Sequence, residues 1–198
     1  MNKKIKLAVI LLLAVVFFGA AVWGYGILSE KYAPDTFADP PALNGEEQTG
    51  DNTEDTEDDG RMMAPDFTVI NEKGEEVKLS DYFGKPIVMN FWATWCYYCK
   101  EEMPDFERAY KEYPDVQFLM VNATDGVRET VDIAKEYLEE NGFTFPVVFD
   151  TRGEAVYSYY ITGYPTTWFI DSEGYLVTYA NSMLPYEALI EGISYITE

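Results

Sequence analysis

The chain has 198 residues, 47% hydrophobic and 16% aromatic, which suits one packed domain with appendages. A formal net charge of −21 argues against nucleic acid as a partner, because phosphate recognition needs clustered basic residues. There is no histidine and there are only two cysteines, which removes Ser-His-Asp triads, Cys-His dyads, His-ligated zinc and a four-thiolate zinc site.

Met1 to Lys6 hold three lysines, Lys3, Lys4 and Lys6, and Leu7 to Leu28 follow without a charge. At a rise of about 1.5 Å per residue that stretch spans about 33 Å, against a hydrocarbon core of about 30 Å. The lysines stay cytoplasmic by the positive-inside rule. The expectation for residues 1–29 is therefore a cytoplasmic stub and retained single-pass anchor at the cell membrane, with everything beyond it extracytoplasmic. A cleaved signal peptide is the competing reading, although Gly19-Ala20-Ala21 is only a loose cleavage site. Residues 30–61 read as a disordered acidic spacer: Asp39-Pro40-Pro41 is followed by eight acidic residues and no basic one between Glu46 and Asp59. Calcium capture there would need a regular, Gly-kinked ligand loop, which the segment lacks.

The folded domain is expected over 62–198. Phe67–Ile70 and Val77–Leu79 flank Asn71-Glu72-Lys73-Gly74 as a hairpin. Pro86–Phe91 is nearly all apolar, as a strand buried on both faces would be. A helix begins at the cysteines and runs to about Tyr113, with Pro104 as a bend. Val116–Asn122 is the next strand and Val127–Glu140 the next helix, ended by Asn141-Gly142. Val147–Phe149 is a short strand and Glu154–Tyr160 a short helix. Thr166–Ile170 and Leu176–Ala180 bracket Asp171-Ser172-Glu173-Gly174 as a hairpin, and Pro185–Ile196 forms a closing amphipathic helix. Alternating strands and helices with a terminal hairpin predict an α/β sandwich around a mixed sheet.

Chemistry concentrates in Trp95-Cys96-Tyr97-Tyr98-Cys99-Lys100. A strand leading into Cys-x-x-Cys at a helix start offers unpaired amides and a positive dipole end, both of which favour thiolate. Cys96, at the helix mouth, is the expected nucleophile, and Cys99, one turn inside, is expected to resolve the mixed disulfide. A purely structural disulfide and a two-coordinate Cu(I) site remain open on residue type alone. Trp92 reads as core. Trp95 reads either as core or as an apolar rim against which a substrate rests. Tyr157, Tyr159, Tyr160 and Tyr164 form a cluster that packing mostly explains.

Four segments extend the pattern: Pro65-Asp66-Phe67, Leu79-Ser80-Asp81, Asn90-Phe91-Trp92-Ala93-Thr94-Trp95-Cys96 and Tyr164-Pro165-Thr166-Thr167. Together, over about residues 62–197, they resemble the TlpA/ResA-type thiol–disulfide oxidoreductases of the thioredoxin superfamily. The resemblance implies a thioredoxin-like fold, a central mixed β-sheet flanked by helices, with an N-terminal β-hairpin and a helix–strand insertion over about 127–149. It implies a redox-active Cys96–Cys99 disulfide and no cofactor. Asn90 stands where thioredoxins usually carry a proton-relaying aspartate, and the resemblance offers Glu102 as the substitute, while Glu101 is a plain neighbour. It also implies a cis Tyr164–Pro165 bond beside the disulfide, where exposed backbone pairs with a substrate strand. The implied partners are disulfide-containing exported proteins, such as apocytochrome c or envelope and spore assembly proteins, and a CcdA/DsbD-like membrane thiol-transfer protein as electron donor. Tyr97-Tyr98 departs from the family, in which proline commonly takes the second position, and this leaves open whether the pair reduces or oxidises. Peroxiredoxins share the Pro-Asp-Phe and Leu-Ser-Asp-Tyr segments, but their hydroxyl three residues before the nucleophile is Ala93 here.

Overall fold

The structure, a computed structural model, describes residues 36–40 and 60–197, together with helical positions at Leu13, 16–20 and Trp23. It divides into two units, Met1–Asp35 and Thr36–Glu198, and all that follows concerns the second. Among the described residues no helix is long and apolar enough to cross a membrane. Most of the expected anchor over 7–28, and positions 30–35 and 41–59 of the expected spacer, lie outside the described residues.

One piece of that spacer is docked rather than free. The Ala38 N–H donates to the Tyr179 carbonyl (2.9 Å), and the Tyr179 N–H donates back (3.2 Å). Phe37 packs edge-on against Phe169 and Tyr195. An aromatic anchor and a bridge to the sheet edge offset the ordering entropy of this short segment.

The strands are β1 (Met62–Met63), β2 (Thr68–Asn71), β3 (Glu76–Lys78), β4 (Ile87–Trp92), β5 (Gln117–Asn122), β6 (Val147–Phe149), β7 (Thr166–Ile170) and β8 (Tyr175–Ala180). The helices are α1 (Tyr97–Glu112), α2 (Val131–Asn141), α3 (Glu154–Ser158) and α4 (Tyr186–Thr197). They build one eight-stranded sheet in the order β1-β8-β7-β4-β5-β6-β2-β3. β4, β5 and β6 run parallel, and the remaining pairings are antiparallel.

β4 is buried along its whole length, so its two faces sort its side chains by the strand's period of two. Val88 and Trp92 face one core with Met103 and Phe106 of α1, Ala134 and Leu138 of α2, and Leu189 and Ile193 of α4. Ile87, Met89 and Phe91 face the other with Phe67, Ala155, Tyr159 and Trp168. Asn90, between Val88 and Trp92, is thereby aimed at α1. In α1 the buried positions Cys99, Glu102, Met103, Phe106 and Ala109 recur at helical spacing, and Pro104 sits within the helix. Gly192 of α4 lies so close to Phe169 that an added Cβ would come within 2.3 Å of the ring.

Two helix boundaries differ from expectation. α2 starts at Val131 rather than Val127 because Asp125 Oδ1 accepts the N–H groups of Val127, Arg128 and Glu129 and holds them in a turn. Thr130 then caps the helix through the Ile133 N–H, and Gly142, at φ +68°, ends it. α3 stops at Ser158, short of Tyr160, whose φ of +48° is outside the helical region.

Candidate active site

The carboxyl ends of β4, β5 and β6 and the start of β7 lie at one end of the sheet, where α/β folds place their sites. β4 ends at Trp92, the chain turns through 93–95, and Cys96 becomes the N-cap of α1. Cys96 and Cys99 form a disulfide, with Cα atoms 5.3 Å apart. Cys96 Sγ accepts the Cys99 N–H (3.1 Å), an orphan amide of the first helical turn. Cys96 is 6% exposed and Cys99 fully buried, so Cys96 is the outer sulfur.

Glu102 lies one turn beyond Cys99 on the same buried face and is 1% exposed. Its Oε1 accepts from Asn90 Nδ2 (2.8 Å) and its Oε2 from the Leu184 N–H (2.9 Å). Asn90 Nδ2 also donates to Thr167 Oγ1 (2.9 Å), the residue opposite it on β7, while Asn90 Oδ1 has no hydrogen-bond partner among the described residues. Burial pushes the Glu102 carboxyl up to about 8, against the opposing pull of the Leu184 and Asn90 hydrogen bonds, with the nearby Asp105 acting in the same sense as burial. Such a group exchanges its proton close to neutrality.

A second buried carboxylate holds the turn before Cys96. Glu129 Oε1 accepts the Thr94 N–H (3.0 Å) and Asn122 Nδ2 (2.7 Å), and Oε2 accepts the Thr94 hydroxyl (2.6 Å). Arg128, from the same turn, lays its guanidinium 4.1 Å from the centre of the Trp95 ring. Trp95 is 39% exposed and packs edge-on against Tyr164, with ring centroids 5.6 Å apart. The Tyr164–Pro165 bond is cis.

The sequence-derived residues therefore separate into groups. Cys96, Cys99 and Glu102 share a helix face, and Trp95 meets Tyr164. Tyr97 and Tyr98 are exposed and packed against each other. Of the tyrosine cluster, Tyr159 is core against Phe67 and Trp168, whereas Tyr157 and Tyr160 are exposed. Glu129, Arg128 and Asn122 were not singled out from sequence. Glu129 and Arg128 fell inside an expected amphipathic helix, where polar residues normally face water; only Asp125-Gly126, a turn signal, marked the interruption.

Residues 61–179 match the family model described as the AhpC/TSA family. The thiol–disulfide oxidoreductase ResA of Geobacillus kaustophilus (strain HTA426) is 40% identical over 113 residues, which cover 56% of this chain and 63% of that protein. The chain thus spans just under two thirds of that relative's length. The thiol–disulfide oxidoreductase ResA of Bacillus thuringiensis subsp. konkukian (strain 97-27) is 32% identical over 137 residues, covering 68% of this chain and 76% of the relative. Among solved structures, the exposed lipoprotein thioredoxin Etrx1 of Streptococcus pneumoniae strain TIGR4 superimposes with a TM-score of 0.59 at 29% identity, covering 66% of this chain and 98% of that one. With the Cys-x-x-Cys disulfide at the head of α1 and the mixed, helix-flanked sheet behind it, these matches place the chain in the AhpC/TSA family, among thioredoxin-like thiol–disulfide oxidoreductases of the ResA type.

Proposed function

We propose that the domain reduces disulfides in exported proteins, working outside the cytoplasm from a membrane anchor. The observation that carries the reading is the oxidised Cys96–Cys99 pair at the start of α1, with Cys96 the less buried of the two and Glu102 buried one turn behind Cys99. In the reduced protein, Cys96 thiolate, favoured by the first-turn amides, attacks a substrate disulfide. One substrate sulfur leaves as thiolate and takes a proton from solvent, and Cys96 is left in a mixed disulfide. Glu102 accepts the Cys99 proton, and the Cys99 thiolate attacks Cys96 Sγ. The second substrate thiol departs and the internal disulfide closes, so two electrons pass from the dithiol to the substrate. Trp95, Tyr164 and the backbone before cis Pro165 form the rim along which a substrate strand lies.

The extracytoplasmic setting rests on the lysine-flanked apolar stretch over 7–28 and on the surface exposure of the pneumococcal relative. A membrane thiol-transfer protein of the CcdA/DsbD kind is the natural electron donor there. Peroxidase chemistry is disfavoured because the residue three before Cys96 is Ala93, and the hydroxyl of Thr94 is bound to Glu129.

The test is capture with Cys99→Ser. The intact protein expressed in its host should retain covalent partners on Cys96 that dithiothreitol releases, and the reduced wild type should reduce insulin. A variant with no covalent partner, beside a wild type inert towards insulin, would sink the proposal.

A further inference from the structure

β7 is buried over its whole length, Thr166 to Ile170. Valine or isoleucine would pack such a strand as well as threonine, because the β-branch is what a pleated surface favours. A hydroxyl buried there needs a polar partner. Thr166 finds one locally, its hydroxyl donating to the Gly163 carbonyl (2.9 Å). Thr167 is fully buried, and among the described residues its hydroxyl bonds with the Asn90 side chain alone (2.9 Å).

Asn90 thus stands between Thr167 and Glu102. Both N–H groups of its Nδ2 are in use, one to Glu102 Oε1 and one to Thr167 Oγ1, while Oδ1 has no hydrogen-bond partner among the described residues. This arrangement suits a carboxylate, which only accepts. Once Oε1 carries a proton it is a donor, and the amide has to present Oδ1 instead. A half-turn about the last side-chain bond exchanges Oδ1 and Nδ2, so that the oxygen then faces Glu102 and Thr167 together. Thr167 can follow, because a hydroxyl accepts from Nδ2 in one state and donates to Oδ1 in the other. Without that hydroxyl the two states suffer unequally. The carboxylate state strands a buried N–H of Nδ2, whereas in the protonated state Oδ1 still accepts from Glu102. Asp105, on α1 itself, is the charge that acts on Glu102, and Cys99, one turn back, is the thiol that titrates beside it in the reduced protein. β4 faces it with the neutral Asn90 amide and residue 184 with a backbone N–H, and β7 acts through Thr167.

We propose that Thr167 is a positioning residue of the reductase: its hydroxyl holds the Asn90 amide with Nδ2 towards Glu102 while Glu102 is a carboxylate, and reverses together with the amide when Glu102 takes the Cys99 proton. The inference deepens the reduction reading above and rests on it for the use of that proton. A neutral side chain on the neighbouring strand thereby sets how readily the buried carboxyl gives up its proton.

The experiment follows Glu102 directly, by NMR of the side-chain carboxyl carbon in the oxidised full chain labelled at glutamate; the signal absent from Glu102→Gln identifies it. Wild type should titrate near about 8. Thr167→Val keeps the β-branch and removes the hydroxyl. Its midpoint should rise by about one pH unit, the tenfold change in proton affinity expected of one buried N–H left without an acceptor. Thr167→Ser restores the hydroxyl and should titrate as wild type does. Release of substrate thiol from a preformed mixed disulfide should follow, its pH–rate profile moving up in Thr167→Val and not in Thr167→Ser. Thr167→Ala, which also lacks the hydroxyl, carries the test if Thr167→Val does not fold. An unmoved or lowered midpoint in the hydroxyl-free variant, or an equal rise in Thr167→Ser, would overturn the role of Thr167 alone. A wild type inert towards insulin would overturn the reduction reading, whatever the midpoints are.

Discussion

Replacing Glu102 with Gln tests the buried carboxyl through two readouts. A carboxyl that ionises near 8 in the fold and near 4.5 in the unfolded chain binds more protons folded than unfolded over that interval. Stability therefore falls as pH rises: the contribution is fully present below about 4.5 and is lost as pH climbs through about 8. At about 1.36 kcal/mol per pH unit, wild type should lose on the order of 4 kcal/mol relative to Glu102→Gln between pH 5 and pH 8. The difference between the proteins cancels Glu107, Glu112 and Asp125, whose carboxyls lie below the ordinary range and lose stability at acid pH instead. Glutamine preserves the shape and can accept the Leu184 N–H. Asn90 must then turn its amide over, so that Oδ1 accepts from the new N–H2 and from the Thr167 hydroxyl. Protonation of Glu102 on Oε1 calls for the same turn, because that O–H then meets the Asn90 side chain and needs Oδ1 as its acceptor. Urea unfolding of the oxidised proteins across pH measures the first effect. Release of substrate thiol from a preformed mixed disulfide measures the second. Resolution should slow by about a hundredfold at neutral pH, within the usual contribution of a positioned acid–base group, and lose its dependence on a group near 8. Parallel stability curves and unchanged pH–rate profiles would refute the assignment.

Glu129→Ala should cost about 2–4 kcal/mol in urea unfolding, since it leaves the Thr94 N–H and the Asn122 amide buried without an acceptor. A loss below about 0.5 kcal/mol would show that the turn before Cys96 holds itself. Gly192→Ala should cost about 1–3 kcal/mol by overpacking against Phe169, and Phe169→Leu in the same chain should recover part of that loss. Thermal unfolding checks both variants, and additive losses would show that the close approach is not the cause.

The cysteine pair, the strand before it and the helix after it could be read in order from the chain, because a buried strand and a capped helix start are local patterns. α2 could not be placed correctly. Val131, Ala134 and Leu138 fit its apolar stripe, and Val127 matched the same spacing, but the Asp125 side chain captures three amides and delays the helix. The docking of Phe37 was likewise hidden, because its partners Phe169 and Tyr195 lie more than a hundred residues away.

The sequence alone determines the Cys-x-x-Cys pair at a helix start, the α/β alternation, the absence of imidazole chemistry and a Glu102 on the same helical face as Cys99. Each of these follows from residue type and short-range spacing. Only the tertiary structure decides that Glu102 is buried and bound by Asn90 and Leu184, and that Glu129 holds the turn before Cys96. Burial and pairing set how a carboxylate behaves. Both depend on which distant strands and loops close over it, and no spacing along the chain encodes that.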